Sequence, residues 1–220
     1  MIQMAGVEYS IYFTAPSAGL NTINLLKAPT TLVGTMFNAP YLGIVLDAVR
    51  TAYIPNSGLI GLSTPIIKTH YRFEGLQINV VFPQAGMVGI LYFGTPTNDS
   101  IPLEAYAGVV VQVSASNSGT SAANLTASGT WQFPQGNVKL TGIGYSPADQ
   151  NIGYDVWSFT TAGGLLVQGF GVAQLLAQGK PDIVPLNDVF TAQTLTVTVN
   201  MNGVPAGKTH TVYLIAYYRF

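Results

Sequence analysis

Hydrophobic residues recur along this chain with a period of two. Val7, Tyr9, Ile11 and Phe13 alternate with Glu8, Ser10 and Tyr12. Leu125, Ala127, Gly129, Trp131 and Phe133 alternate with Asn124, Thr126, Ser128, Thr130 and Gln132; Leu195, Val197, Val199 and Met201 alternate with Thr194, Thr196, Thr198 and Asn200. Alternation of this kind turns one set toward a core and the other toward solvent, the pattern of a half-buried antiparallel strand. Met87–Phe93, Tyr106–Val113 and Thr211–Arg219 are apolar at both parities, which suits central strands or strands that enter an interface. Between His70 and Val80 the apolar parity switches from odd (Tyr71, Phe73) to even (Leu76, Ile78, Val80). The switch predicts a β-bulge or sharp bend at Glu74-Gly75, of the sort that lets a long strand serve two sheets.

Helical signals are few. Asn38-Ala39-Pro40, followed by Leu42, Val45, Leu46, Val49 and Tyr53 and ended by Pro55, predicts a capped amphipathic helix; the β-branched and aromatic content also permits a strand. Val172–Gln178 has room for one or two helical turns. Turn-forming clusters punctuate the rest: Pro55-Asn56-Ser57-Gly58, Gly94–Asp99, Ser114–Ala123, Pro134-Gln135-Gly136 and Ser146–Asn151. Many short strands so punctuated predict an all-β fold, an antiparallel β-sandwich of jelly-roll type with at most one or two short helices. Neither an internal repeat nor a long linker is visible, so residues 1–220 read as a single domain.

Charge narrows the function classes. The 220 residues include 8 Lys+Arg and 9 Asp+Glu, or 8% charged, where an ordinary soluble domain carries roughly 25%. With 48% hydrophobic residues the chain is no disordered polyelectrolyte. A net charge of −1 with scattered basic residues argues against nucleic-acid binding. The absence of cysteine excludes disulfides, thiolate zinc sites and a cysteine nucleophile. The opening residues MIQMAGVEYSIYFTAP lack a basic start followed by an apolar stretch, so no cleaved leader is expected. No run reaches the roughly 18 apolar residues of a membrane helix, so no membrane span is expected.

Candidate chemistry is sparse. Asp99, Asp149, Asp182 and Asp188 flank Asn, Ser or Pro and read as turn and cap residues, while Glu74 and Glu104 have no evident partner. His70, Arg72 and Glu74 share one strand face, as a base with its orienting acid would, or equally as a solvated ion-pair row. His210 stands far along the chain, and two histidines without a carboxylate spacing make no metal motif. Gly142-Ile143-Gly144 and Gly169-Phe170-Gly171 lack the third glycine and following helix of a phosphate loop, and no G-x-S-x-G elbow occurs. No catalytic, cofactor-binding or metal-binding residue is assigned, and an enzyme is not expected. Asn98-Asp99-Ser100 and Asn124-Leu125-Thr126 are formal glycosylation sequons, a frequent chance product in so Thr/Ser/Asn-rich a chain.

Aromatic residues suggest two further readings. Trp131, Trp157 and the Tyr217-Tyr218 pair offer stacking surfaces for a sugar, though Trp131 lies on the core parity of its strand. Terminal Phe220, with Tyr218, Ala216, Leu214 and Val212 at period two, resembles the C-terminal signature of bacterial outer-membrane barrels. Against that stand Tyr213 and Ile215 on the other face, 13 prolines and too few charges for a polar lumen.

A 23.3 kDa domain with so few charges must expose neutral polar and apolar atoms, and uncharged patches mark contact surfaces. In its Thr/Asn/Gly-rich strands, its polar loops such as Ser114–Ala123 and a final hairpin Gln193–Phe220 turned at Asn202–Gly207, the whole chain resembles the single jelly-roll capsid and vertex proteins of tailless icosahedral viruses. That resemblance implies a virion structural protein: a major shell subunit, a penton (vertex) protein or a spike base. Its partners would be copies of itself and other capsid proteins, with no cofactor, and it would assemble in the host cytoplasm. On length, one eight-stranded roll with long loops is expected. A carbohydrate-binding sandwich or receptor-binding spike, with a glycan ligand, is the alternative, and an outer-membrane barrel the third.

Overall fold

A computed structural model describes residues 6–55, 67–95, 102–134, 138–147, 156–161, 164–171, 183–190 and 193–219. The chain divides into two compact units, Met1–Ala107 and Gly108–Phe220. Strands make up both, and a four-residue 3₁₀ turn at Leu103–Tyr106 is the one helical element among the described residues.

In the first unit the strands are β1 (Val7–Thr14), β2 (Gly19–Asn24), β3 (Thr30–Phe37), β4 (Tyr41–Val45), β5 (Thr51–Pro55), β6 (Ile67–Phe73), β7 (Gln77–Phe82) and β8 (Val88–Gly94). They pair from the outside inward, β1 with β8, β2 with β7, β3 with β6 and β4 with β5, like one long hairpin folded over on itself. Cross-pairing of β3 with β8 and of β4 with β7 makes two four-stranded antiparallel sheets, ordered β1-β8-β3-β6 and β2-β7-β4-β5. This order is a jelly roll. Leu32, Leu91 and Phe93 from one sheet and Leu42, Ile44 and Val80 from the other are fully buried. Phe13 stacks on Phe82 across the two sheets, ring centres 5.2 Å apart. Gly89 makes room for that ring, since a Cβ there would stand 2.6 Å from Phe13 Cζ and 2.6 Å from the Met36 carbonyl.

The second unit repeats the ladder with β9 (Gly108–Ser116), β10 (Ala123–Gln132), β11 (Val138–Pro147), β12 (Val156–Thr161), β13 (Gly164–Gly171), β14 (Ile183–Phe190), β15 (Thr194–Val204) and β16 (Thr209–Arg219). β9 pairs with β16, β10 with β15, β11 with β14 and β12 with β13, giving sheets β14-β11-β16-β9 and β10-β15-β12-β13. Its core joins Leu140, Ile143, Val212 and Leu214 of one sheet to Trp131, Val197 and Val199 of the other. Trp131 is the bridge: its indole Nε1–H donates to the Leu214 carbonyl at 2.9 Å across the sandwich. Buried Asn117 fastens the loop end, donating from Nδ2 to the Ser121 and Val204 carbonyls and accepting the Gly119 N–H.

The all-β antiparallel jelly-roll expectation therefore holds, and several finer expectations are corrected. Residues 1–220 read as one eight-stranded domain; the structure carries two rolls in tandem. Strands of five to eight residues fit eight into Val7–Gly94, so the long loops assumed for a single roll are not needed. The helix predicted between Asn38 and Pro55 is the β4–β5 hairpin, where β-branched and aromatic residues favour extended backbone and Asp47 forms the turn. Asp47 Oδ1 accepts the N–H groups of Val49 and Arg50, and Arg50 Nε donates to Oδ2 at 2.7 Å.

At Glu74-Gly75 the chain does bend, leaving one sheet at Phe73 and entering the other at Gln77; Leu76, expected on the core parity, stands exposed in the bend. Gln193–Phe220 is not a hairpin, because nested pairing sends β15 and β16 to different sheets. Of the strands apolar on both faces, β8 and β16 are central, whereas Tyr106–Val113 runs from the 3₁₀ turn into edge strand β9. The helical turns expected at Val172–Gln178 lie outside the described residues.

Candidate assembly surface

The same period of two that fills the cores also decides what is displayed outside. On β1, β8 and β3, Phe13, Gly89 and Phe37 turn inward, so their neighbours Tyr12, Ile90 and Met36 turn outward. Register places those three in one lateral row, Tyr12 opposite Ile90 and Ile90 opposite Met36. Val88 follows one step along, opposite Thr14. Tyr12 is 77% exposed and Val88 46%. Asn38 closes one end, its Oδ1 accepting the Val88 N–H at 2.8 Å while its own N–H donates to the Val88 carbonyl. An apolar groove of about 480 Å³ lies at this end of β1, β8 and β3, lined by the outward Tyr12, Met36, Val88 and Ile90 together with the inward Phe13 and Phe37.

The second roll displays a different neutral surface. Thr126 Oγ1 donates to Asn200 Oδ1 at 2.8 Å, Ser128 pairs with Thr198 at 3.0 Å and Thr130 with Thr196 at 3.2 Å, three parallel rungs across β10 and β15. Ser114–Thr211 and Ser116–Thr209 form two more across β9 and β16. These rungs satisfy one another's hydrogen bonds and carry no charge, so little water needs to be stripped from ions when the face is covered.

Three ion pairs stand among the described residues of the first roll. Glu8 pairs with Lys27, Asp47 with Arg50 and Arg72 with Glu74, the last through Nε and Oε1 at 2.7 Å. The backbone N–H of Val49 and the Arg50 guanidinium hold the Asp47 carboxyl below its ordinary value, and the same Asp47 bond raises Arg50. Burial pushes the Tyr53 and Tyr71 phenols up, Tyr71 further by the nearby Glu104 charge. His70, Arg72 and Glu74 are all exposed, and Arg72 faces Glu74, so the row is a solvated ion-pair face and not a catalytic ladder. Glu104 is exposed at the start of the 3₁₀ turn. His210 is buried in the second roll. Asp188 lies within β14 opposite Leu140, not at a turn; Asp99, Asp149 and Asp182 lie outside the described residues. No group of three metal-ligating side chains occurs among the described residues.

Two rival readings lose their residues. Trp131, Tyr217 and Tyr218 are at most 3% exposed and offer no sugar platform, and the Trp157 side chain lies outside the described residues. β16 runs between β11 and β9 in an open four-stranded sheet, so its apolar period belongs to a sandwich core and not to the closing strand of a barrel; Phe220 lies outside the described residues. The sequence pattern marks two of the groove's three strands, β1 and β8, but neither β3 nor the groove itself. Its signal was present in Tyr12 at an outward position and in the two-sided apolar run Met87–Phe93.

No protein-family model matches the chain, and no curated protein matches it in sequence. Among solved structures, it is similar to a chain from the atomic structure of Sulfolobus turreted icosahedral virus, at 8% identity and a TM-score of 0.41, covering 96% of this chain and 90% of that one. The major capsid protein P2 of bacteriophage PM2 is similar at 11% identity and a TM-score of 0.35, covering 96% and 97%. Allantoicase is similar as well, at 10% identity and a TM-score of 0.28, covering 90% and 78%. At these values the likeness assigns neither activity nor partner.

Proposed function

We propose that this chain is a structural subunit of a virus shell, without enzymatic activity, which assembles with copies of itself and other capsid proteins. The observation that carries the reading is the Tyr12–Ile90–Met36 row with Val88, an uncharged apolar strip on a regular sheet face, exposed at Tyr12 and Val88 and half-buried at Ile90 and Met36. Such a strip is costly to leave in water and suits burial by a neighbour. The uncharged hydroxyl rungs of the second roll support the same reading, since they form a face that tolerates being covered.

Tandem rolls favour the main shell over the vertex. Three copies of a two-roll chain supply six similar modules, the number that suits a site with six neighbours, whereas five copies at a vertex supply ten. The subunit would act in the virion and assemble in the host cytoplasm, with no role in nucleic-acid binding. Light scattering of the detergent-free chain at several concentrations tests this. A trimer or a larger closed species supports the shell reading, a pentamer moves the chain to the vertex, and a monomer at high concentration removes the assembly reading.

A further inference from the structure

The second roll holds one dipeptide with covalent chemistry of its own. Ala123 pairs with Val204 and Leu125 with Met201, so Asn124 alone stands opposite both Asn202 and Gly203. The extra residue makes a bulge, and Gly203 takes φ +67°, a backbone conformation that glycine adopts without a steric penalty. No heavy atom stands within 4 Å of where a Gly203 Cβ would be, and Asn202 is itself partly exposed. The Gly203 N–H donates to Asn124 Oδ1 at 2.9 Å.

Asparagine followed by glycine is prone to lose ammonia, because no side chain shields the amide nitrogen that follows it. That nitrogen attacks the side-chain carbonyl carbon: the N–Cγ bond forms, the Cγ–Nδ2 bond breaks, and the proton from the attacking nitrogen departs with the side-chain nitrogen as ammonia. Water then opens the five-membered imide to aspartate or isoaspartate. We propose that Asn202 is a deamidation site which Asn124 keeps silent in the folded roll. The hydrogen bond to Asn124 holds the proton on the Gly203 nitrogen. Pairing of Met201 with Leu125 and of Val204 with Ala123 fixes the backbone on either side of the dipeptide, whereas ring closure needs that nitrogen brought onto the Asn202 side chain. Reaction places a negative charge, and in isoaspartate an extra backbone atom, beside the neutral rungs Thr126–Asn200 and Ser128–Thr198. The inference is independent of the shell reading and stands or falls separately.

The test follows the Asn202 peptide by mass spectrometry, scoring the amide-to-acid mass gain and isoaspartate, in full-length chain kept folded at mildly alkaline pH. Loss of the one hydrogen bond in Asn124→Ala accelerates the reaction about tenfold. Asn124→Asp, which keeps an acceptor at that position, stays near the wild-type rate, and wild type unfolded in urea reacts fastest. Circular dichroism checks that Asn124→Ala is folded; if it is not, Asn124→Ser, whose hydroxyl is too short to reach Gly203, takes its place. Equal rates in folded and urea-unfolded wild type, or no acceleration in the folded variant, overturn the proposal.

Discussion

The two rolls share a strand ladder and differ in how they are tied together and in what they show to solvent. In the first roll the sheets meet through stacked rings, Phe13 on Phe82, over a glycine that leaves room for them. In the second, directional bonds join them as well, from the Trp131 indole to the Leu214 carbonyl and from Asn117 Nδ2 to the Val204 carbonyl, beside the edge-on pair Phe133–Tyr218. Outside, the first roll carries three ion pairs and an apolar row, while the second lines its strands with hydroxyls and amides that bond one another. One topology thus tolerates two kinds of closure, because the nested ladder is set by strand parity and turn placement and not by particular side chains. The faces are free to diverge, and that freedom gives one chain two distinct contact surfaces.

The comparison predicts unequal responses to mutation. Trp131→Ala removes the largest buried side chain of the second roll and its inter-sheet bond, at a cost of about 3–5 kcal/mol. Hydrogen exchange under native conditions will show the loss of protection confined to residues 108–220; uniform loss over both rolls would contradict separate closures. Gly89→Ala forces a methyl group against Phe13 and the Met36 carbonyl, and costs about 1–3 kcal/mol by overpacking. A denaturation midpoint unchanged by this substitution would show that the Phe13–Phe82 stack is not confined as described.

Asp47→Asn has the smallest effect, since the carboxyl is exposed and its pairing with Arg50 is screened by solvent. Its folded-state value is depressed, so its contribution is present above the ordinary carboxylate value and is lost as pH falls through the folded value. Wild type and Asp47→Asn should therefore differ slightly in melting temperature at neutral pH and converge in acid. A difference that grows toward acid would reverse the assigned sign.

Much of the fold could be read from parity alone. The alternations through β1, β10 and β15 named both the strands and their inward faces, and Trp131 sits in the core as its position implied. What escaped is what parity does not encode. Nothing local distinguishes β15 followed by β16 in one hairpin from the same strands sent to facing sheets, because the choice is made by pairing with β10 and β11 far away in the chain. The number of rolls was hidden for a related reason: the two halves share a pairing order, not a sequence. The Asn38–Pro55 segment misled because its apolar spacing fits a helix as well as a hairpin, and the turn that decides between them is a matter of two backbone N–H groups donating to the Asp47 carboxylate. Tyr12 was visible at an outward position, but only register shows it beside Ile90 and Met36.

The central claim is that the Tyr12–Ile90–Met36 row is buried by a neighbouring subunit, and sedimentation of wild type against Tyr12→Asp tests it most directly. Tyr12 is largely exposed, so the substitution should leave the melting point nearly unchanged, within about 0.5 kcal/mol of stability. The account predicts that wild type sediments as a closed oligomer and that the folded variant sediments as a smaller species at the same concentration. A wild-type chain that stays monomeric, or an oligomer indifferent to a charge at the exposed end of the row, would contradict it.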